Sequence, residues 1–289
     1  MRLSLARRAG RIILGEQDRD PSCRLLGSEL EFLKRGFPMK YGILSDCHGN
    51  LPGLTRAHEM LKKAGAKKFI CLGDIVGYGP NSPRCIDYLK ENFFLVLAGN
   101  HDHALLEKCS VSAYSGAARQ AIELARSQLD STQIQYLQAL PLIKEWKEDG
   151  LIVYLTHAHP KDYENWCYFP RKSDFQILGA GQEDCVALCF YGHTHQPRFQ
   201  ISSRAERARF PENFKAYGFD DERGETLVIN VGSCGQPRDG DLRVAGVLLD
   251  TEQRSFTFLR GEYPLWQVQE DMLAKGMSSN LVERLDYGR

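Results

Sequence analysis

Excess charge of either sign is missing from this chain: 37 Lys and Arg are matched by 37 Asp and Glu, leaving a formal net charge of +0 over 289 residues. Without a basic surplus there is no electrostatic case for general binding to nucleic acid or to an anionic membrane. Long apolar runs are missing as well. Stretches such as Phe93–Ala98 fall far short of the roughly 18 residues that a membrane span needs, so no membrane partner is expected. Repeats and low-complexity tracts are absent, and 43% hydrophobic with 26% charged residues exclude disorder over most of the chain. Paired cysteine motifs are lacking too. Nine cysteines (23, 47, 71, 85, 109, 167, 185, 189 and 234) are scattered without a CxxC, and an odd number leaves at least one unpaired. They read as reduced thiols of a cytoplasmic protein. Cys71 in FICLGD and Cys189 in VALCFYG sit in apolar runs where a thiol behaves as a small hydrophobe.

What is present falls into two parts. Residues 1–38 are Arg-rich, also carry acidic residues, and lack an apolar core followed by a small-residue cleavage site, so they do not read as a signal peptide. They are expected to be a poorly ordered N-terminal extension with Met39 as a candidate start, a targeting or docking role staying open. Residues 39–289 are expected to form one domain. In it YGILS, a helix across Leu51–Lys63, FICLG, a helix near Pro83–Lys90 and FFLVLAGN alternate, the rhythm of right-handed βαβ units with parallel strands. A helical stretch over Ala113–Leu140 ends at Pro141. LIKEWK and LIVYLTH flank Asp149-Gly150, a hairpin signal. The C-terminal part is strand-rich (VALCFYGH, RFQIS, TLVINVG, VAGVLLD, SFTFL) before a helix over Pro264–Lys275. The expected fold class is α/β (α+β): two packed mixed β-sheets flanked by helices, a four-layer αββα sandwich.

Five short clusters place His, Asp or Asn just after an apolar strand: Asp46-Cys47-His48, Gly73-Asp74, Asn100-His101-Asp102, Thr156-His157 and His193-Thr194-His195. C-terminal strand ends share one edge of an α/β sheet, so these side chains can meet there. Carboxylate oxygen and imidazole nitrogen are the usual ligands of manganese, iron and zinc. The donors exceed what one ion needs, and Asp74, alone on its strand end, is the natural bridge between two. A lone DxH is worth little, and a single His near a strand end is more often an ordinary satisfied group. All five clusters in order make that bland account hard to sustain.

The series SDCHGN, GDIVGYGP, GNHD, THAHP and YGHTH resembles the calcineurin-like metallophosphoesterases over residues 39 to about 250. GDIVGYGPN with NVGSCGQPRDGD is similar to the bacterial branch often labelled diadenosine-tetraphosphatase-related. The resemblance implies that Asp46, His48, Asp74 and His195 hold one divalent ion, and Asp74, Asn100, His157 and His193 the other. Manganese is the first choice, with iron, zinc, cobalt and nickel open, because ligand type alone does not separate them. It further implies attack by a hydroxide between the metals, with His101 as general acid or transition-state stabiliser and Asp102 orienting it.

The expected activity is therefore dinuclear-metal hydrolysis of phosphoester or phosphoanhydride bonds in a small-molecule, nucleotide-like substrate. A non-catalytic interaction scaffold on the same fold is the competing class, but no expected ligand is missing. A protein Ser/Thr phosphatase would carry further arginine signatures that this chain lacks. Arg238, on a Gly-rich turn, reads either as a phosphate contact or as a partner of Asp239 or Asp241. The stretch Tyr163–Lys172 combines Trp166, Tyr168 and Phe169 with Arg171 and Lys172, fitting a base-stacking rim or a loop packed on the core. His159 has a substrate or supporting role open to it, His103 reads as a helix-entry residue, and the oligomeric state is not legible.

Overall fold

The computed structural model describes residues 39–148, 151–169, 178, 185–201, 211–219, 224 and 226–289. The expectations for residues 1–38 and for Arg171 and Lys172 lie outside them.

Eleven strands form two mixed sheets among the described residues. The first contains β1 (Lys40–Leu44), β2 (Lys68–Cys71), β3 (Leu95–Val96), β8 (Ala216–Gly218), β10 (Val244–Asp250) and β11 (Ser255–Gly261), in the order β3-β2-β1-β10-β11-β8. Strands β1, β2 and β3 are parallel, whereas β10 runs antiparallel to β1, with Ile43 opposite Val247. The second contains β4 (Ile143–Glu148), β5 (Leu151–Thr156), β6 (Val186–Tyr191), β7 (Arg198–Ile201) and β9 (Thr226–Asn230), in the order β4-β5-β6-β9-β7. Here β5, β6 and β9 are parallel. Antiparallel pairing of β4 with β5 runs down to Glu148 opposite Leu151, the geometry of the expected hairpin; its Asp149-Gly150 turn lies outside the described residues.

These strands read as continuous apolar runs because both of their faces are covered. Alternate residues go to different cores: Ile43, Ile70 and Leu72 meet Val153, Leu155 and Leu188 between the sheets, while Leu44 and Cys71 face the helices. The outer face of the first sheet is covered by α1 (Leu51–Lys63) and α2 (Ser82–Asn92), through Leu54, Ala57, Leu61, Ile86 and Leu89. Against the outer face of the second sheet, Phe169 and Leu178 pack on Tyr154 and Cys189; most of the expected fourth layer lies outside the described residues.

The expected single helix over 113–140 is in fact two, α4 (Gly116–Gln128) and α5 (Ser131–Ala139). Asp130 breaks the run: its carboxylate accepts from Gln133 N at 2.8 Å, and Gln133 Oε1 accepts from Asp130 N, a reciprocal cap that starts a new helix. Between β3 and α4 lies the short α3 (Asn100–Leu105), and the chain ends in α6 (Leu265–Ala274) and α7 (Ser279–Tyr287), packed on α4 through Ala121, Val268, Met272 and Leu281. The last helix was not expected from the sequence. No helix among the described residues is long and apolar enough to cross a membrane. Cys47, Cys71, Cys85, Cys109, Cys185, Cys189 and Cys234 are thiols outside any disulfide.

Candidate metal centre

All five polar clusters follow the C-terminal ends of parallel strands: Asp46 and His48 after β1, Asp74 after β2, Asn100 after β3, His157 after β5, His193 and His195 after β6. The two sheets are stitched together at this edge. Asp46 Oδ2 accepts from His193 N at 3.1 Å, and Gly192 N donates to His157 O at 3.0 Å. Gly235 N donates to Asp46 O at 2.9 Å, drawing in the turn after β9. Asn50, the N-cap of α1, accepts from Gly53 N and donates to Gly235 O, fixing that turn from the helix side.

Side-chain donors of two groups converge, Asp46, His48, Asp74 and His195 in one and Asp74, His157 and His193 in the other; within each, the ligand atoms lie within 4.8 Å of one another. Asp74 belongs to both. Three of the imidazoles are oriented by main-chain carbonyls: Nδ1 of His48 meets Val76 O at 2.9 Å, Nδ1 of His157 meets Leu72 O at 3.1 Å, and Nδ1 of His195 meets Gln236 O at 2.6 Å. A carbonyl can only accept, so each Nδ1 carries a proton and in the neutral ring each Nε2 turns a lone pair inward, as for a metal-ligating histidine. Nε2 of His48 and Nε2 of His195 are 3.2 Å apart. Two lone pairs facing each other at that distance, beside Asp46 Oδ1 at 3.2 Å from His195 Nε2, fit a cation between them better than any hydrogen bond. Asn100 joins the second group. Its Oδ1 lies 3.2 Å from His157 Nε2, and its amide donates to Tyr114 Oη at 2.5 Å, which turns the carbonyl oxygen inward.

Electrostatics follow from burial. It works against the Asp74 charge, but the imidazoles of His157, His101 and His48 outweigh it and hold the carboxyl well below its ordinary value. Burial also opposes charge on His157, yet Asp74 and Asp46 raise it to about 9. His48 and His195 are pushed well below the usual imidazole value by burial, and His193 to about 3. His48, His193 and His195 are thus already neutral beside a charged Asp74, the protonation pattern that metal ligands need, while His157 has a proton to lose.

His101 packs edge-on to His48, with ring centroids 4.7 Å apart, and stacks on Tyr114 at 5.0 Å. Burial lowers it to about 4. Its Nδ1 is buried without a hydrogen-bond partner among the described residues. Asp102 does not bond that Nδ1. Its carboxylate accepts from the main-chain N–H groups of Ile75, Val76 and Gly99, at 3.0, 3.2 and 2.8 Å. The expected orienting role of Asp102 toward the His101 ring is thus corrected: it clamps the loop carrying Asp74 to the turn carrying Asn100.

Arg238 donates to Gln236 Oε1 and lies over the Tyr78 ring, 5.2 Å from its centroid. Its two candidate acidic partners are taken elsewhere, Asp239 by Arg260 and Asp241 by Arg243. Of the aromatic stretch, Phe169 is buried, but Trp166 and Tyr168 border the second group, 5.9 Å from His157 and 5.0 Å from His193. His159 shapes the same loop, its Nδ1 accepting from Lys161 N and Asp162 N. His103, in α3, faces Trp166 at 5.1 Å. Tyr78 and Tyr114 were not anticipated. The only local signal for Tyr78 is its place in GDIVGYGP, and Tyr114 has none.

The sequence model of the calcineurin-like phosphoesterase superfamily domain matches residues 39–254. The chain belongs to this superfamily. Among relatives, an uncharacterized protein of Methanocaldococcus jannaschii, MJ0912, is 33% identical over 248 residues, 86% of this chain and 97% of the relative. The phosphodiesterase YfcE of Escherichia coli is 24% identical over 233 residues, 80% of this chain and 97% of its own length. A metallophosphoesterase from Sphaerobacter thermophilus superposes with a TM-score of 0.72 at 30% identity, covering 88% of this chain and all of its own. Membership of this phosphoesterase family makes the chain a metal-dependent phosphoric ester hydrolase, on a fold of two mixed sheets with helices.

Proposed function

We propose that this chain is a dinuclear-metal phosphodiesterase acting on nucleotide-like small molecules. The observation that carries this reading is the pair of donor groups sharing Asp74. When bound, two divalent ions supply Lewis acidity, lowering the pKa of water toward about 7 and neutralising phosphoryl oxygens. Asp46, His48, Asp74 and His195 would hold one ion and Asp74, Asn100, His157 and His193 the other. Among metals, manganese suits this N/O set, as do iron, zinc, cobalt and nickel. His101, kept neutral by burial, would donate a ring N–H where phosphoryl charge grows, which favours transition-state stabilisation over proton donation. Asp102 fixes the loops on either side of it.

The nucleotide part rests on Trp166 and Tyr168. Tyr168 is 73% exposed although its ring borders His193, and Trp166 Nε1 is buried with no hydrogen-bond partner among the described residues. An exposed ring and an orphaned donor beside the metal ligands suit a base that stacks and accepts a hydrogen bond. A reduced, cytoplasmic setting accords with the free thiols.

Metal-stripped protein should lose hydrolysis of bis(p-nitrophenyl) phosphate and regain it with manganese. In a panel of dinucleoside polyphosphates, cyclic nucleotides, nucleoside monophosphates and phosphopeptides, a nucleotide should give the highest kcat/KM. Replacing Trp166 and Tyr168 by Ala should then cost that nucleotide about 1–3 kcal/mol per lost stack while sparing the chromogenic ester. Full activity in metal-free protein would refute the mechanism, and equal losses on both substrates would refute the stacking role.

A further inference from the structure

The His48 side of the centre is bordered by a cationic stack in which Arg238, read from its Gly-rich turn as a candidate phosphate contact, is joined by a second arginine. Tyr78 lies against His48 and His101, with ring centroids 4.6 and 4.5 Å away. On the same ring lie two guanidinium groups, Arg238 at 5.2 Å and Arg284, from α7, at 6.0 Å from the centroid. Tyr78 is held at φ 49°, a left-handed conformation uncommon outside glycine, so the chain is strained where it presents this ring.

Neither guanidinium is paired with a side-chain carboxylate among the described residues. Arg238 spends Nε and Nη2 on the neutral Gln236 Oε1, and Arg284 spends Nε on the main-chain oxygen of Arg289. Arg243 and Arg260, a few residues along, hold Asp241 and Asp239. Two cations thus share one aromatic face while the nearby acids are committed elsewhere. Burial and the neighbouring Arg238 both lower the pKa of Arg284, a mutual repulsion that an anion between them would relieve. Nη1 and Nη2 of Arg284 and Nη1 of Arg238 are uncommitted among the described residues, and guanidinium N–H groups of this kind bind phosphate oxygens.

We propose that Arg238 and Arg284, stacked on Tyr78, form a second anion subsite that takes the distal phosphate of a phosphoanhydride substrate such as a nucleoside polyphosphate. The inference rests on the nucleotide reading above and deepens it. With the base on Trp166 and Tyr168 beside His157 and His193, and the distal phosphate on the arginines beside His48 and His101, the scissile phosphate lies between, at the metals. Cyclic nucleotides and simple diesters, with a single phosphate, leave the arginines unengaged.

Calorimetric binding of AMP and of α,β-methylene-ADP to the manganese-loaded protein, at fixed free manganese, tests this without turnover. The wild type should bind the diphosphate analogue about ten- to a hundredfold more tightly than AMP, the range for a hydrogen bond to a charged group. Arg284→Gln and Arg238→Gln should each lose most of that preference. Arg284→Lys, which keeps the aliphatic stem and charge but not the fork, should lose it in part, and thermal melts verify that the variants fold. Because the preference is a ratio within one protein, a general loss of stability does not mimic it. A wild type without the preference, or variants that weaken both ligands by the same factor, would overturn the subsite and leave the nucleotide reading standing. Failure of both ligands to bind would overturn the two together.

Discussion

Gly99 offers a sharp test of how the metal centre is positioned, because the change involved is one methyl group. The residue sits at φ −108°, ψ 179°, which alanine adopts without strain, so any effect must come from contact rather than from backbone freedom. A Cβ built there would lie 2.1 Å from Asp74 Oδ1 and 2.4 Å from Asp74 N. Carbon and oxygen do not approach much closer than about 3 Å, so the carboxylate or its loop must retreat by about 1 Å. Retreat is obstructed. Asp74 Oδ1 accepts from His101 N at 2.8 Å, and Gly99 N is itself held by Asp102 Oδ2 at 2.8 Å. A displacement of that size at a reacting centre costs on the order of 10²-fold in rate. Gly99→Ala should therefore lower metal content and reduce hydrolysis of bis(p-nitrophenyl) phosphate about a hundredfold, with the far-ultraviolet circular dichroism unchanged. Gly116→Ala is the control: nothing lies within 4 Å of a Cβ there, and at the first position of α4 alanine should leave metal content and turnover unchanged. A Gly99→Ala protein with full metal content and normal turnover would show that Asp74 is not held where the contacts place it.

Two further outcomes are expected. Asp74→Asn should disturb both ions, whereas His101→Gln should keep its metal content and lose about 10²–10⁴-fold in turnover, read by metal analysis beside kinetics; loss of metal in the His101 variant would mark it as a ligand. His157 is raised to about 9, so at neutral pH it must shed a proton before Nε2 can coordinate. Protons then compete with metal below that pKa: affinity rises with pH up to it and levels off above, with about one proton released at neutral pH. That proton belongs only to the group containing His157, calorimetry in buffers of different ionisation enthalpy counts it, and a value of zero would refute the charge assigned to His157.

The metal donors were legible because each follows an apolar run that both cores demand, and a run ending in Asp, His or Asn is visible without knowing which strands pair. Their neighbours were legible only in part, Arg238 by its Gly-rich turn but Tyr78, Tyr114 and Arg284 not at all. Tyr78, Arg238 and Arg284 meet only because α7 returns to the β2 side of the site, and nothing local to residues 279–287 announces that return. Antiparallel insertion of β10 beside β1 is hidden for the same reason, since pairing across 200 residues leaves no local trace. The break at Asp130 was available in principle. Asp130 and Gln133 have the spacing of a reciprocal cap, but apolar periodicity runs on through Leu129, Ile134 and Leu137 and masks it. Asp102 illustrates the opposite error. Its proximity in sequence to His101 suggested a partner for the ring, yet three N–H groups from two loops claim the carboxylate first.

That competition for backbone donors explains how the centre persists at all. Asp46, His48, Asp74, His193 and His195 have φ of 57°, 46°, 53°, 64° and 58°, in the left-handed region that side chains other than glycine seldom occupy. Such residues cost of order 1–3 kcal/mol each and survive only where surrounding structure over-determines them. Here the compensation is specific. Asp46 N donates to Gly73 O, His48 N to Asp74 O and Gly49 N to Ile75 O, at 3.0, 2.9 and 2.8 Å, so the first ligand loop is zipped onto the second. The third is tied back when Asp46 accepts from His193 N. Asp46, His48, Asp74 and His193 are therefore each held by the loop that carries another ligand, and His195 O accepts from Arg238 N in the turn after β9. An extended strand would also set residues i and i+2 on one face, so the spacing of a lone DxH says little by itself; what sets Asp46/His48 and His193/His195 apart is that both members of each pair are left-handed, a conformation that only the bonds between the loops can hold.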